Sequence, residues 1–297
     1  MTQAATPAST PTRLLVLGAT GMLGNAVLRL FADSPGYEVS GSARSATGVA
    51  LLREDLRAKV HVGLDIIEHP VALARLFDKL RPHAVINCVG LVKQLAAADD
   101  PLAALPINAQ LPHRLSRLCA TVGARLVHIS TDCVFAGTRG NYLESDAPDA
   151  ADLYGRSKLL GEVVDVPHAV TLRTSIIGHE LAGAHGLLGW FLAQSGSTKG
   201  YRRAVFSGLP TVELACAIRD HVLPDPRLHG LYHVSAAAID KLSLLRLVAA
   251  RYGHPVEIVP DDQVVVDRSL DSTRLRQATA FSPPGWPELV RRMHAFG

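Results

Sequence analysis

Cysteine is scarce in this chain and follows no pattern. Cys88, Cys119, Cys133 and Cys216 are the only four among 297 residues, and none forms a C-x-x-C pair. That supports neither a disulfide framework nor a zinc site, and reads as a reduced, cytoplasmic chain. No apolar run approaches the ~18 residues that a membrane helix needs. Residues 1–12 lack both a basic start and an apolar stretch, so they read as a floppy tail rather than a signal peptide. An excess of charge of one sign is also missing. Thirty Lys+Arg against 27 Asp+Glu leave a formal +3, too little to mark a binder of nucleic acid or membrane surfaces. With 48% apolar and 19% charged residues, disorder and collagen-like structure are excluded. There is no repeat of solenoid period. At roughly 150 residues per domain, the length allows one large domain or a domain and a half.

What is present is alternation. Apolar runs at 14–17, 37–42, 60–64, 84–89 and 125–130 read as strands, separated by stretches of helical apolar spacing at 22–32, 69–80 and 108–122. Such alternation predicts an α/β, Rossmann-like doubly wound parallel sheet covered on both faces. Further strands are expected at 169–177 and 230–235, and a helix at 240–252. The division this suggests is a tail at 1–12 and a dinucleotide-binding domain over 13–178 plus about 207–236. A smaller C-terminal substrate-binding lobe would take about 179–206 plus 237–297.

Between the first strand and first helix stands Gly18-Ala19-Thr20-Gly21-Met22-Leu23-Gly24. Glycines there permit a tight turn and close approach of backbone to a pyrophosphate, whose charge meets the helix N-terminus. The cofactor contacts expected from this turn are Gly18, Thr20, Gly21, Met22, Leu23 and Gly24. At the end of the second strand, where a carboxylate would grip the ribose of NAD, the chain reads Ser40-Gly41-Ser42-Ala43-Arg44. Ser42 sits at the strand end, and Arg44 either pairs with a 2′-phosphate or is a solvated loop arginine. The missing carboxylate favours NADP(H) over NAD(H). Asp65-Ile66 either hydrogen-bonds and flanks the adenine or caps the next helix.

Tyr154 and Lys158 are four apart at the start of a predicted helix and so share a face. A neighbouring ammonium favours phenolate, which predicts a tyrosine pKa below the free value near ~10 and suits proton donation to a carbonyl receiving hydride. Upstream, Ile129-Ser130-Thr131-Asp132-Cys133-Val134-Phe135 brings hydroxyls to the carboxyl end of the fifth strand, the edge at which doubly wound folds bind ligands.

In this order, the glycine turn, the hydroxyl pair and the Tyr/Lys pair resemble the extended short-chain dehydrogenase/reductase superfamily. Within it the chain resembles the dTDP-4-dehydrorhamnose reductase group, through residues 18–24, 129–135, 154–158 and Leu172-Arg173-Thr174-Ser175, and more loosely through 267–271. The resemblance implies that Thr131 binds the substrate carbonyl, Tyr154 is the acid, and Lys158 holds the nicotinamide ribose. It also implies that Asn108 supports a proton relay; the other reading of Asn108 is a helix cap after Pro106. The substrate implied is a nucleotide sugar (dTDP or UDP) with a 4-keto-6-deoxy hexose, reduced for bacterial polysaccharide. The expected substrate contacts are Thr131 and Asp132, with Lys93, Arg202, Arg203 and Arg268 as candidates for its phosphates or sugar; planar arginine forks suit phosphate oxygens, and Arg202-Arg203 read equally well as a solvated loop.

Departures from the group narrow the chemistry. Cys133 stands where the superfamily's sugar dehydratases carry a glutamate, which argues against dehydration. Ala26 replaces the group's metal-linked glutamate, and Ile176 the tryptophan that packs on the sugar. The first change removes the group's magnesium-bridged dimer and leaves another kind of homodimer open; the second admits a different sugar. No metal is expected, since His229 and His233 are four apart but His233 lies on a predicted strand, which spoils helical ligand spacing. Two rivals accompany this reading: an epimerase with tightly held NAD, and a non-catalytic NADP-binding subunit. The latter follows because a regulatory subunit of methionine adenosyltransferase resembles the same group. No nucleic acid or membrane partner is called for.

Overall fold

The structure, a computed structural model, describes residues 10–63, 70–93 and 96–297. Its first strand, β1 (Thr12–Leu17), is an apolar run buried on both sides. Leu14 and Val16 join a core with Val27, Phe31, Val127 and Leu214. Leu15 and Leu17 point the other way, into a core with Leu73, Phe77, Leu115 and Leu126. Because side chains alternate across a strand, only a sheet covered on both faces can bury such a run.

Six further strands join it: β2 (Tyr37–Ala43), β3 (Val60–Val62), β4 (Ala84–Asn87), β5 (Arg125–Thr131), β6 (Ala169–Thr174) and β7 (Gly230–His233). They pair in the order β7-β6-β5-β4-β1-β2-β3, and every pairing is parallel. The chain winds outward from β1 to β3, returns to β4, and winds the other way. The carboxyl ends of β1 and β4 therefore splay apart into a crevice, the place where such sheets take ligands. All seven strands were legible as apolar runs, with ends extended in three of them and trimmed in the others. Leu64 lies outside the described residues, and Ile176–Ile177 leaves the sheet to pair with Leu209–Pro210.

Four helices pack near the crevice: α1 (Met22–Ala32), α2 (Pro70–Leu80), α3 (Leu111–Val122) and α4 (Leu153–Leu160). The helix expected from Asn108 starts earlier, at Pro101–Ala104, where the Asp100 carboxylate accepts the Leu102 N–H at 2.9 Å. This is ordinary N-capping with proline in the first turn. A π-helical stretch, Leu105–Gln110, then leads into α3. Pro112 has no N–H to give the carbonyl of Asn108 four residues back, so the α-helical repeat cannot run through this point.

The remaining chain builds small sheets over the carboxyl edge. Ala204–Phe206 lies between Ile239–Asp240 and Val266–Asp267, and Asp240 and Asp267 both pair opposite Val205. Ser197–Tyr201 pairs with Glu257–Asp261. Asp240 also caps the helix Lys241–Tyr252, accepting the Ser243 N–H at 2.8 Å. The Trp286 indole N–H donates to the Ala237 carbonyl at 2.7 Å and anchors the last helix, Trp286–Phe296. Among the described residues no helix is long and apolar enough to cross a membrane.

Candidate active site

The turn after β1 is shaped by contact rather than composition. Gly18 has φ +78°, and a Cβ on Gly24 would stand 2.0 Å from the Gly18 carbonyl oxygen. The first turn of α1 thus lies directly on the loop. Gly21 caps α1 without a side chain, which leaves the leading N–H groups and the helix dipole free for an anion. A dinucleotide's pyrophosphate fits this turn. Met22 and Leu23 line the cleft beside it, while the Thr20 side chain packs against Gly48. Ser42 is buried at the end of β2, and its carbonyl accepts the Ala19 N–H at 2.9 Å. Arg44 is exposed just beyond and makes no ion pair among the described residues. Asp65 and Ile66 lie outside the described residues.

A cleft of about 560 Å³ runs from this turn across the carboxyl edge of the sheet, lined by Thr131, Asp132, Cys133, Tyr154 and Lys158 among others. Thr131 ends β5; its hydroxyl accepts the Cys133 N–H at 3.1 Å. Asp152 caps α4 through the Gly155 N–H at 2.7 Å. A Cβ on Gly155 would stand 2.2 Å from the Cys133 carbonyl oxygen, so glycine is what lets α4 press Tyr154 against the end of β5. One helical turn on, buried Lys158 donates from Nζ to the Ile129 carbonyl at 2.7 Å. Asn108, in the π-helical stretch, is buried. It accepts the Leu91 N–H at 3.0 Å and donates to the Ser157 hydroxyl at 3.1 Å. It therefore ties the loop after β4 to α4 and is not a cap.

The electrostatics correct one expectation. Burial pushes the Tyr154 phenol upward, helped by the nearby Cys133, Asp132 and Asp152, while the Thr131 hydroxyl pulls down. The net shift is thus opposite to the lowering predicted from Lys158, whose Nζ donates to the Ile129 carbonyl. Lys158 is itself brought down to about 8 by burial, against the raising influence of Glu162. Asp132 is raised by burial.

Lys93 and Arg268 line the cleft, Lys93 paired with Asp152 and Arg268 donating from Nε to the Phe135 carbonyl at 2.7 Å. Arg202 and Arg203 do not line it. Strand Ser197–Tyr201 carries Arg202 to Asp262, its ion-pair partner, and Arg203 is exposed. Of the two readings for that pair, the exposed placement agrees with the solvated loop and not with a phosphate contact in the cleft. His233 is buried and turns Nδ1 to the Tyr142 carbonyl at 3.0 Å. Among the cleft residues that escaped the sequence reading are Lys241 and Glu180. Lys241 follows a visible helix cap, but only the pairing of distant strands brings it here. The Glu180 carboxylate accepts the Gly186 N–H at 2.8 Å and folds its own loop beside Met22.

A doubly wound parallel sheet with an open pyrophosphate turn, and a Thr/Tyr/Lys set across its carboxyl edge, defines the fold and site of an extended short-chain dehydrogenase/reductase. Residues 12–294 match the family described as RmlD substrate binding domain, and the chain belongs to it. It is 32% identical over 150 residues to methionine adenosyltransferase 2 subunit beta of Rattus norvegicus, covering 50% of this chain and 41% of that one. It is also 32% identical over 171 residues to dTDP-4-dehydrorhamnose reductase of Mycobacterium tuberculosis, covering 55% and 49%. The chain thus spans about half or less of the length of these curated relatives.

Among solved structures, a hypothetical dTDP-4-dehydrorhamnose reductase of Sulfolobus tokodaii superposes with TM-score 0.75 at 27% identity, over 93% of this chain and 98% of that one. The dTDP-4-dehydrorhamnose reductase of Bacillus anthracis in complex with NADP gives 0.78 at 21%, over 97% and 100%. Bordetella bronchiseptica WbmG in complex with NAD gives 0.79 at 22%, over 98% and 96%. At those two identities the likeness is one of fold.

Proposed function

We propose that this protein reduces the C4 ketone of a nucleotide-linked (dTDP or UDP) 4-keto-6-deoxy sugar, with NADPH favoured over NADH, for bacterial polysaccharide. The observation that carries this is the meeting of Thr131, Tyr154 and Lys158 in one cleft with the open pyrophosphate turn. Bound there, the cofactor supplies hydride chemistry, with Lys158 placed to hold its nicotinamide ribose. Tyr154, raised by its burial, keeps its proton at neutral pH and is placed to give it to the carbonyl oxygen. Thr131 offers a hydroxyl to the same oxygen and orients the phenol. Lys158, with Asn108 bracing the adjoining turn of α4, returns a proton to Tyr154. Cys133 supplies no carboxylate, which favours reduction over water elimination.

The test is NADPH oxidation with dTDP- and UDP-4-keto-6-deoxy sugars. Tyr154→Phe is expected to lose about 10²–10⁴ in rate, the usual contribution of a general acid. Loss under tenfold overturns the mechanism, and no turnover of any such sugar by the wild type overturns the substrate class. Stoichiometric NAD on the purified protein would point instead to an epimerase. The likeness to methionine adenosyltransferase 2 subunit beta favours a second reading, a non-catalytic NADP-binding subunit. Co-purification with a partner enzyme, together with absence of turnover, would support it.

A further inference from the structure

Behind Lys158 the sheet carries a polar link that the reaction does not use directly. β4 and β5 pair with Asn87 opposite His128, so the two side chains leave one face of the sheet side by side. Both are fully buried, on the face that Leu17 and Leu126 otherwise pack against Leu111 and Leu115. The Asn87 amide has one orientation. Its Oδ1 accepts the Val89 N–H at 3.1 Å, so its Nδ2 is the atom facing His128 Nδ1, also at 3.1 Å. An amide nitrogen only donates, so Nδ1 is the bare acceptor and the imidazole is neutral, with its proton on Nε2. Burial, helped by the Lys158 ammonium and His113, holds His128 well below the usual histidine range, in keeping with that form. Nε2 itself is buried and has no partner among the described residues. A buried imidazole with one nitrogen unpaired weakens a core, unless the other nitrogen does what an apolar side chain could not.

What Nδ1 holds, through Asn87, is the turn 88–91 that follows β4 and lines the cleft. A Cβ on Gly90 would stand 3.7 Å from Lys158 Nζ and 3.5 Å from Asn108 Oδ1, so the turn lies against the ammonium. Cys88 is close enough for that ammonium to act on its thiol. The turn has a tie at each end, from the Cys88 N–H to the Leu17 carbonyl at 3.1 Å and from the Leu91 N–H to Asn108 at 3.0 Å. The Asn87 amide holds the middle.

We propose that His128 is a positioning residue: through Asn87 and the Val89 N–H it keeps the turn 88–91 closed over the Lys158 ammonium, and so sets how far that group is withdrawn from water. Its use, a lysine poised to return a proton to Tyr154, rests on the reductase reading above. Without the imidazole, Asn87 Nδ2 is a buried donor that lacks an acceptor, and the amide gains by turning toward water. Val89 is then released, Gly90 lifts from Lys158, and the ammonium is better hydrated. Burial is what brings Lys158 down to about 8, so hydration raises it. The other titratable groups facing this cluster are Tyr154, one turn back on the same helix face, Glu162 just beyond α4, Cys88 on the turn and His113 on α3. All of them are kept in the variants below.

The test is NMR titration of the full chain with its lysines labelled at Cε, the Lys158 signal being assigned through Lys158→Arg. In His128→Leu the Lys158 titration is expected to move to higher pH, its acid constant falling by about threefold or more. A leucine that merely filled the imidazole's space would deepen the burial and give no upward move. His128→Asn, whose Oδ1 can stand where Nδ1 stood, should keep Lys158 near its wild-type value. Asn87→Ala breaks the same link from the other side and should give the same upward move, with the double His128→Leu/Asn87→Ala moving no further than either alone. It also decides by itself if His128→Leu does not fold. With a sugar that turns over, the alkaline limb of the rate should rise by the same interval. Absence of an upward move in the single variants, or moves that add in the double, overturns this inference and leaves the reductase reading standing. If the wild type turns over none of the sugars, the reductase reading falls, and the titration alone decides whether His128 holds the turn over Lys158.

Discussion

Removing the charge of Glu162 should cost more stability than almost any single change away from the hydrophobic core. Glu162 and Arg173 are side by side in the interior, with side chains 5% and 4% exposed. Arg173 donates from Nε to Oε1 and from a terminal nitrogen to Oε2, both at 2.7 Å, and the Ser130 hydroxyl donates to Oε1 at 2.7 Å as well. The guanidinium also lies 5.3 Å from the Phe135 ring centre. Glu162→Gln replaces one acceptor oxygen by a donor that faces a donor, and leaves a buried cation without its counter-charge. Breaking a buried pair from one side costs about 3–5 kcal/mol. At about 2 °C per kcal/mol for a chain of this size, the midpoint should fall by roughly 6–10 °C. Calorimetry of wild type and Glu162→Gln gives the shift, and Glu162→Leu, Arg173→Met and the double Glu162→Leu/Arg173→Met close the cycle. The double variant should recover more than half of the single losses, since removing both charges leaves nothing unpaired. A single-variant loss under about 1 kcal/mol, or strict additivity in the double, would refute the reasoning.

Three further outcomes follow from the site. Lys158 titrates at about 8, so its ammonium is held below that pH and lost above it. The reductase rate should therefore fall on an alkaline limb near pH 8, and in Glu162→Gln, where a raising influence is gone, the limb should move to lower pH; a flat profile from pH 7 to 9.5 contradicts the role of Lys158. Gly24→Ala places a methyl 2.0 Å from the Gly18 carbonyl oxygen, so α1 must shift away from the turn. Fluorescence titration should show NADPH affinity reduced at least tenfold or so, given that about 1.4 kcal/mol is a factor of ten; unchanged affinity would mean the turn is not the pyrophosphate site. Arg44→Ser should weaken NADPH while sparing NADH, by about 1.5–3 kcal/mol if Arg44 makes a charged hydrogen bond to the 2′-phosphate. Equal weakening of both cofactors would return Arg44 to a solvated loop.

Much of this was legible because it is local. The β1 run, buried on both sides, announces a covered parallel strand. The glycine turn and the Tyr154/Lys158 spacing each lie within a few residues, so their geometry follows from strand and helix periodicity. What was not legible depends on distance or on depth. For Arg202 phosphate and a solvated loop stood side by side, because its partner Asp262 is 60 positions away and comes alongside only through a small parallel sheet. Lys241 was passed over for the converse reason, since two strands from separate parts of the chain carry it and Arg268 to one wall. Spacing also says that Tyr154 and Lys158 share a face, but not how much protein covers them, and burial reverses the direction of the phenol's shift. The π-helical stretch was invisible because Pro106 reads as a helix start when Pro112 is not weighed beside it.

That stretch has a consequence for how the chain tolerates length changes. A π-turn holds one residue more than the α-helical repeat requires, so deleting a single residue between Pro106 and Pro112 would remove that surplus while Pro112 still withholds its hydrogen bond. The deletion would re-aim the residues inside the stretch, since each α-helical step turns a side chain by about 100°. Asn108 would then swing off the line between Leu91 and Ser157, and the loop after β4 would lose its tie to α4. The more regular helix is thus the one that takes the site apart, and the surplus residue works as a spacer whose value lies wholly in where it aims its neighbour.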